Sequence, residues 1–226
     1  MSKININSNL KSLESLYLKG DYDAAIQMQK EMGEAFSPGH LYYNLGTLNL
    51  KKGDMAAGRY FLELSKKYEF NSSMVAHNLG VAKKSLEVTE IGTEDNLLNN
   101  IVNYGLEASG ANYLTLTLLL ALISLFLLRT RFIKKKLLIF LLFLISIFPY
   151  GFYQFYLSNI KFAISLNVAE IFEGPSEIFS KIGSVRPGEK VLIGEQNNGW
   201  LYISYPKSLN GWVNKTKLGI LVDPTK

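Results

Sequence analysis

Two apolar runs decide the fold: Ala111-Asn-Tyr-Leu-Thr-Leu-Thr-Leu-Leu-Leu-Ala-Leu-Ile-Ser-Leu-Phe-Leu-Leu128 and Leu137-Leu-Ile-Phe-Leu-Leu-Phe-Leu-Ile-Ser-Ile-Phe-Pro-Tyr-Gly-Phe-Tyr-Gln-Phe-Tyr-Leu157. Neither contains a charged residue. About 20 consecutive apolar residues cross the hydrocarbon core of a bilayer as a helix. A helix buried on one face of a soluble domain would carry a polar stripe, and these runs have none. Between them lies Arg129-Thr-Arg-Phe-Ile-Lys-Lys-Lys136, with five cations (Arg129, Arg131, Lys134, Lys135 and Lys136) and no anion. A stretch this basic is a solvated loop. Residues 111–157 therefore read as a transmembrane hairpin, with spans at 111–128 and 137–157 and a loop at 129–136.

The loop also orients the chain. Lys and Arg in short loops stay in the cytoplasm, so both chain ends are expected on the opposite side. Tyr113, Tyr150, Tyr153 and Tyr156 lie toward the outer ends of the runs, where interfacial aromatic belts form. The Met1–Ser8 stretch has no apolar core of a signal peptide. Two alternatives follow: a leader has been removed, or the outer domains are cytoplasmic and the loop breaks the charge rule. The charge rule favours the first.

The net charge of +5 is mostly a topology signal. Residues 1–110 carry 11 basic and 13 acidic groups, the loop adds its five cations, and residues 158–226 carry 8 basic and 6 acidic groups. No outer segment is basic enough to point to nucleic acid. Cysteine is absent, which excludes disulfides, thiolate metal sites and a cysteine nucleophile.

Residues 1–110 read as helices with short polar breaks. Leu10, Leu13, Leu16 and Tyr17 recur at helical spacing. Lys19-Gly-Asp21 breaks the pattern, and Tyr22, Ala25, Ile26 and Met28 resume it. The unit then repeats: Gly20-Asp21 and Gly53-Asp54 are 33 residues apart, and Asn44-Leu45-Gly46 and Asn78-Leu79-Gly80 are 34 apart. Each Gly before Asp supplies a helix-ending conformation, and each Asp caps the next helix. Gly46 and Gly80 are read as close-approach points between paired helices. Ala25 and Gly58 are read as small residues at crossings, with Tyr22, Tyr42 and Leu62 filling gaps.

A helical period of this length resembles the tetratricopeptide repeat family. The resemblance covers about residues 6–90, as two repeats and the first helix of a third. The third repeat has Leu86-Glu-Val-Thr-Glu90 where the Gly-Asp turn belongs, and Asp95 to Leu106 reads as a capping helix. The resemblance implies a concave surface that takes an extended partner segment. In this register His40, Tyr43, Thr47 and Leu50 face it, joined by Met74, His77, Val81 and Lys84. The basic clamp of some family members is not evident: Asn44 and Asn78 match one of its positions, but its lysines and arginines have no counterparts.

From residue 160 to 226 the periodicity changes to alternation. Strands are expected at Lys161–Leu166, Val168–Phe172, Lys190–Ile193, Trp200–Tyr205 and Gly211–Val213. Gly174-Pro175, Pro187-Gly188, Asn197-Asn-Gly199 and Asn210-Gly211 read as turns. Closely spaced short strands argue for a small barrel. Glu173-Gly-Pro-Ser176, Ile182 to Val191 with its Pro-Gly turn, Asn198-Gly-Trp-Leu-Tyr-Ile203 and Gly211-Trp-Val213 resemble the bacterial SH3-type domain. A barrel this small needs wide aromatics to fill it, and Trp200, Tyr202 and Trp212 are expected to do so. The resemblance gives the same aromatics a second reading, as a groove for peptides or cell-wall fragments formed by Trp200, Tyr202, Tyr205 and Trp212.

No enzyme chemistry is legible. Gly183 to Lys190 fails as a phosphate loop, because Glu189 separates Gly188 from Lys190 and Val191 stands where a hydroxyl residue is needed. His40 and His77 are the only histidines, fall in different repeats and have no acidic cluster beside them. No catalytic, cofactor or metal residue is assigned.

The fold class is thus a multidomain membrane protein: all-α tetratricopeptide-like repeats (1–110), a two-helix transmembrane hairpin (111–157) and a small all-β SH3-like barrel (160–226). That domain order resembles the BatE-type proteins of bacterial aerotolerance (Bat) operons. The resemblance implies a non-enzymatic scaffold in the bacterial inner membrane, with both outer domains periplasmic. The expected partners are von Willebrand factor A-domain membrane proteins, alongside a MoxR-type ATPase. The alternative is a cell-wall sensor whose barrel recognises peptidoglycan.

Overall fold

Asp21 and Asp54 open two helices in the same way. Each follows a glycine in the left-handed region, Gly20 at φ +76° and Gly53 at φ +95°. Each carboxylate then accepts a backbone N–H three residues on, from Ala24 at 3.2 Å and Ala57 at 2.9 Å. The computed structural model describes residues 6–68, 70, 72–88, 105, 108, 110–130 and 136–221. Among them are seven α-helices and one seven-stranded antiparallel sheet.

Five helices come first: α1 (Ile6–Leu18), α2 (Tyr22–Glu31), α3 (Pro38–Lys52), α4 (Met55–Lys67) and α5 (Ser73–Leu86). Each packs on the next. The tightest crossing is between α3 and α4. A Cβ on Gly46 would lie 2.7 Å from Leu62 Cγ and 3.2 Å from the Gly58 carbonyl, and Leu50 lies directly over Gly58. Ala25 and Leu62 are fully buried, as their spacing predicts. Gly80 differs from the expectation: it is exposed, and its missing side chain faces no described atom. The capping helix expected over Asp95 to Leu106 lies outside the described residues except for Gly105.

The sheet contains β1 (Lys161–Ser165), β2 (Ala169–Phe172), β3 (Lys181–Val185), β4 (Lys190–Asn197), β5 (Trp200–Tyr205), β6 (Gly211–Asn214) and β7 (Leu218–Leu221). Its order is β3-β2-β6-β5-β4-β1-β7. Strands lie about 4.8 Å apart, so a flat sheet would hold β3 and β7 far from each other. Instead Val185 of β3 and Leu218 of β7 belong to one buried cluster with Ala163, Ile171, Val191, Ile203 and Val213. The sheet curls around a single core.

That core corrects one expectation. It is built from Ala, Val, Ile and Leu. Leu201, Ile203 and Val213 point inward, and Trp200, Tyr202 and Trp212, on the alternate positions, are only half-buried on the outer side. Seven strands close the core with aliphatic side chains alone, which leaves no room for indoles.

The helices α1–α5 and the sheet fall in one compact unit, comprising Met1–Ile91 and Lys161–Lys226. α4 meets β1 and β7. Tyr60 lies on Gly219, where a Cβ would come 2.6 Å from its ring, and the Tyr60 hydroxyl donates to the Ile220 carbonyl at 3.4 Å. Leu86 lies over Gly188. The segments on either side of the hairpin thus share one folded body.

The second unit, Gly92–Ile160, holds α6 (Gly110–Thr130) and α7 (Lys136–Phe155). The two pack together. The Tyr113 and Tyr153 rings stack at 5.2 Å, and the Tyr150 N–H donates to Thr117 Oγ1 at 3.1 Å, beside Pro149. Ser124 and Ser146 are buried and bond their own helices. Leu118, Leu122, Phe126, Ile145, Phe148 and Phe155 are exposed. Both helices are long and apolar enough to cross a membrane, and they are not buried as the core helices of a soluble protein are. Arg129 is exposed; Arg131, Lys134 and Lys135 lie outside the described residues.

Candidate interaction surfaces

The residues expected on the repeat face divide into two sets. Tyr43 and Thr47 are half-buried on α3 and tie it to α5. The Tyr43 hydroxyl is 3.7 Å from Met74 Sδ, and Asn78 Nδ2 donates to Thr47 Oγ1 at 3.2 Å. These bonds hold the two helices side by side. Met74, His77, Val81 and Lys84 are exposed on α5, and His40 is exposed at the start of α3. His40 is anchored by Ser37 Oγ, 2.7 Å from its Nδ1, and by the Phe70 ring at 4.1 Å. Leu50 belongs to neither set. It turns away to cover Gly58 and the Leu62 cluster, because the α3–α4 crossing has no side chain of its own there.

A cavity of about 260 Å³ opens between α1, α2 and α3. Leu13, Glu14, Tyr17, Gln29, Tyr43 and Thr47 are among its walls. α1 is the first helix of the row, so Leu10 and Tyr17 keep more than a third of their surface exposed, at 39% and 37%. Sequence periodicity placed these apolar residues correctly on one face. It gave no sign of Gln29, which occupies a helix position that Ala25 and Met32 mark as buried.

The outer face of the sheet gathers the second set. Tyr202 and Trp212 are opposite each other on β5 and β6, with rings edge-to-face at 5.5 Å. Trp200 meets Phe172 in the same geometry at 5.5 Å, and Phe172 is paired in register with Trp212. Four aromatics thus form one continuous patch, to which strand alternation would have pointed: aromatics at 200 and 202, aliphatics at 201 and 203. Tyr205 is not part of it. It sits at the end of β5 opposite Leu192, on the other side of a register shift, with 40% of its surface exposed.

A third feature joins helices to sheet. Glu63 on α4 is buried among three cations: Arg59 at 4.0 Å, Lys83 at 3.8 Å and Lys190 at 3.9 Å. Arg59 is fully buried and donates to the Gly188 carbonyl at 2.9 Å. Lys190 also lies 5.0 Å from the centre of the Phe162 ring. This charge network lies inside the unit and glues its parts. Burial raises the Tyr60 pKa above its ordinary 10.0, with Tyr42 and Tyr68 adding to the effect. The Tyr42 pKa is raised too, by burial first and then by Tyr68.

Among the described residues no group of three or more His, Cys, Asp or Glu side chains is arranged to hold a metal ion. No family model, curated protein or solved structure matches the chain.

Proposed function

We propose that this chain is a non-enzymatic, membrane-anchored scaffold. In this reading the helices form a tetratricopeptide-like array that captures a segment of a partner protein, and the sheet is an SH3-type barrel. The observation that carries it is the α3–α5 face. Tyr43, Thr47 and Asn78 fix the two helices against each other. Met74 (54% exposed) and Val81 (43%) stay open to solvent on that face with His77. Rigid, partly apolar and exposed, such a face suits a protein partner.

The shared body of α1–α5 and the sheet supports the hairpin reading. Two segments that fold together must lie on the same side of a membrane, so an even number of crossings separates them. The charge rule places that side outside the cytoplasm. The domain order keeps the Bat-type assembly as the specific proposal, with von Willebrand factor A-domain membrane proteins as partners. The test is co-purification from native membranes in mild detergent, comparing the wild type with a His77→Ala/Val81→Glu double variant. Loss of the membrane-protein partners from a folded variant is the expected result. Equal recovery would move the binding elsewhere.

The aromatic patch favours a second reading, a cell-wall sensor. Trp200, Tyr202 and Trp212, backed by the buried Phe172, offer flat faces of the kind that stack on sugars or peptides. Retention of the wild type on purified sacculi, lost on Trp212→Ala, would support it; no retention would leave the scaffold reading alone.

A further inference from the structure

The two edges of the sheet end differently. β7 forms one edge, and α4 lies against it: Tyr60 packs on Gly219, and its hydroxyl donates to the Ile220 carbonyl at 3.4 Å. β3 forms the other edge and pairs only with β2. Among the described residues no other group hydrogen-bonds its backbone, and Lys181, Ile182 and Ser184 are exposed. An open edge presents a row of unpaired N–H and C=O groups, a template for one more strand. Lysine is a usual guard of such edges. Here Lys181 is turned to Glu170 on β2, 2.5 Å away, and the ion pair offsets its charge.

The loop that leads into β3 is held by its own contacts. The Ser176 N–H donates to the Gly174 carbonyl at 2.8 Å, and the Glu173 N–H donates to the Ser180 carbonyl at 3.1 Å. The Ile178 N–H donates to Ser176 Oγ at 3.3 Å. The Phe179 ring lies on Gly174, where a Cβ would come 2.5 Å from it. This loop holds Ile178 in solvent at 94% exposure, beside Phe179 (48%) and, on β3, Ile182 (51%). Glu173 and Glu177 are exposed in the same loop, and neither has an ion-pair partner among the described residues. A loop already fixed in shape loses little freedom when a partner docks.

We propose that β3 is a docking edge for an extended, basic and apolar segment of a protein partner, which joins the sheet as a further strand. The outward N–H and C=O groups of β3 supply the main-chain bonds, and Ile178 and Ile182 give the apolar side chains of the segment a contact. Glu173 and Glu177 select its charge, because an acidic segment would bring like charges together. Only an extended backbone completes the ladder. The edge is therefore separate from the α3–α5 face and from the aromatic patch, and it stands whether or not either of those binds.

The test uses the full chain in nanodiscs of zwitterionic lipid. The probe is a peptide of about six residues, a typical strand length, alternating lysine and valine. It should bind, and its glutamate–valine counterpart should not. A strand bonds its neighbour through alternate residues. Backbone N-methylation of one alternate set should therefore lower affinity about tenfold or more, as several main-chain bonds are lost, and methylation of the other set should not. Glu173→Lys/Glu177→Lys, two exposed changes that leave the fold intact, should weaken the lysine peptide. Bound peptide should slow hydrogen exchange in β3 and leave β7 unchanged. No binding, binding of both peptides alike, equal losses from both methylated sets, full affinity for the double variant, or slowed exchange at β7 in place of β3 would each overturn the proposal. Dimerisation of the chain through β3 in the absence of peptide would give the edge to a second copy and overturn it too.

Discussion

Arg59 Nη1 donates to the Gly188 carbonyl at 2.9 Å, joining residues 129 positions apart in the chain, and both are buried. Gly188 belongs to the Pro-Gly turn before β4, and Arg59 to the middle of α4. The bond therefore ties α4 to the sheet across the whole intervening sequence. Glu63 and Lys190 surround it with charge.

Removing the guanidinium should be expensive. Arg59→Met leaves the buried Gly188 carbonyl without its donor and takes one of three cations from Glu63, which keeps Lys83 and Lys190; an unsatisfied buried acceptor costs about 1–3 kcal/mol. Both tryptophans are in the sheet and most of the helix signal comes from elsewhere. Urea unfolding followed by tryptophan fluorescence and by far-ultraviolet dichroism should shift to lower midpoint together. A shift in one signal only would mean that helices and sheet unfold separately.

Two equivalent glycines should respond in opposite ways. At Gly46 a methyl would meet Leu62, which is fully buried and cannot yield, so Gly46→Ala should destabilise by about 1–3 kcal/mol. At Gly80 the methyl has open space in an exposed helix interior, so Gly80→Ala should stabilise by about 0.5–1 kcal/mol. Thermal denaturation of the two variants decides it.

The buried tyrosines give an alkaline limit. Burial raises the Tyr60 and Tyr42 pKa values above the ordinary 10.0. Their contribution to stability is fully present below that ordinary value and is lost as pH rises through the raised one, because the unfolded chain gives up its protons first. Stability should therefore fall above pH 10. Tyr60→Phe should flatten part of that fall, since the Tyr60 hydroxyl sits at the helix–sheet contact with Ile220. A pH titration of the unfolding midpoint shows whether the slope changes.

Topology is testable with single cysteines in this cysteine-free chain. Lys19→Cys and Lys207→Cys should label together with an impermeant reagent on intact spheroplasts, and Lys134→Cys should not. Opposite labelling of 19 and 207 would contradict the shared body; labelling of 134 alone would invert the orientation.

The hairpin contact is modest. Thr117→Val removes the hydroxyl that accepts from the Tyr150 N–H, and if α6 and α7 span a membrane as proposed, such a contact is worth on the order of 0.6 kcal/mol. The variant should insert normally and show only a small increase in susceptibility to detergent unfolding.

The Gly-Asp turns at 20–21 and 53–54 and the two apolar runs were readable because each is a local signal: one left-handed residue, one cap, one uninterrupted stretch. β2, β4, β5 and β6 were readable from alternation. β7 was not, because Leu218-Gly-Ile-Leu221 is short and without polar alternation. The direction of Trp200 and Trp212 was misread because a small barrel was expected to need wide aromatics in its core, although aromatics at 200 and 202 alternate with the aliphatics at 201 and 203 that fill it. The Arg59–Gly188 bond and the Gln29 cavity have no sequence signal at all. Both depend on which helix faces come together in three dimensions.

Joining the two outer segments into one body has a consequence for biosynthesis. The ribosome completes α4 and α5 before the hairpin, and β1 only after it. Until the second span is in place and the sheet has followed, Arg59, Glu63 and Tyr60 lie on a bare helix face. If α6 and α7 cross a membrane as proposed, a nascent chain whose hairpin fails to thread keeps its sheet on the wrong side, and that face stays uncovered. On that reading, closure of the charged seam reports correct insertion, and maturation of the folded body is a checkpoint on it.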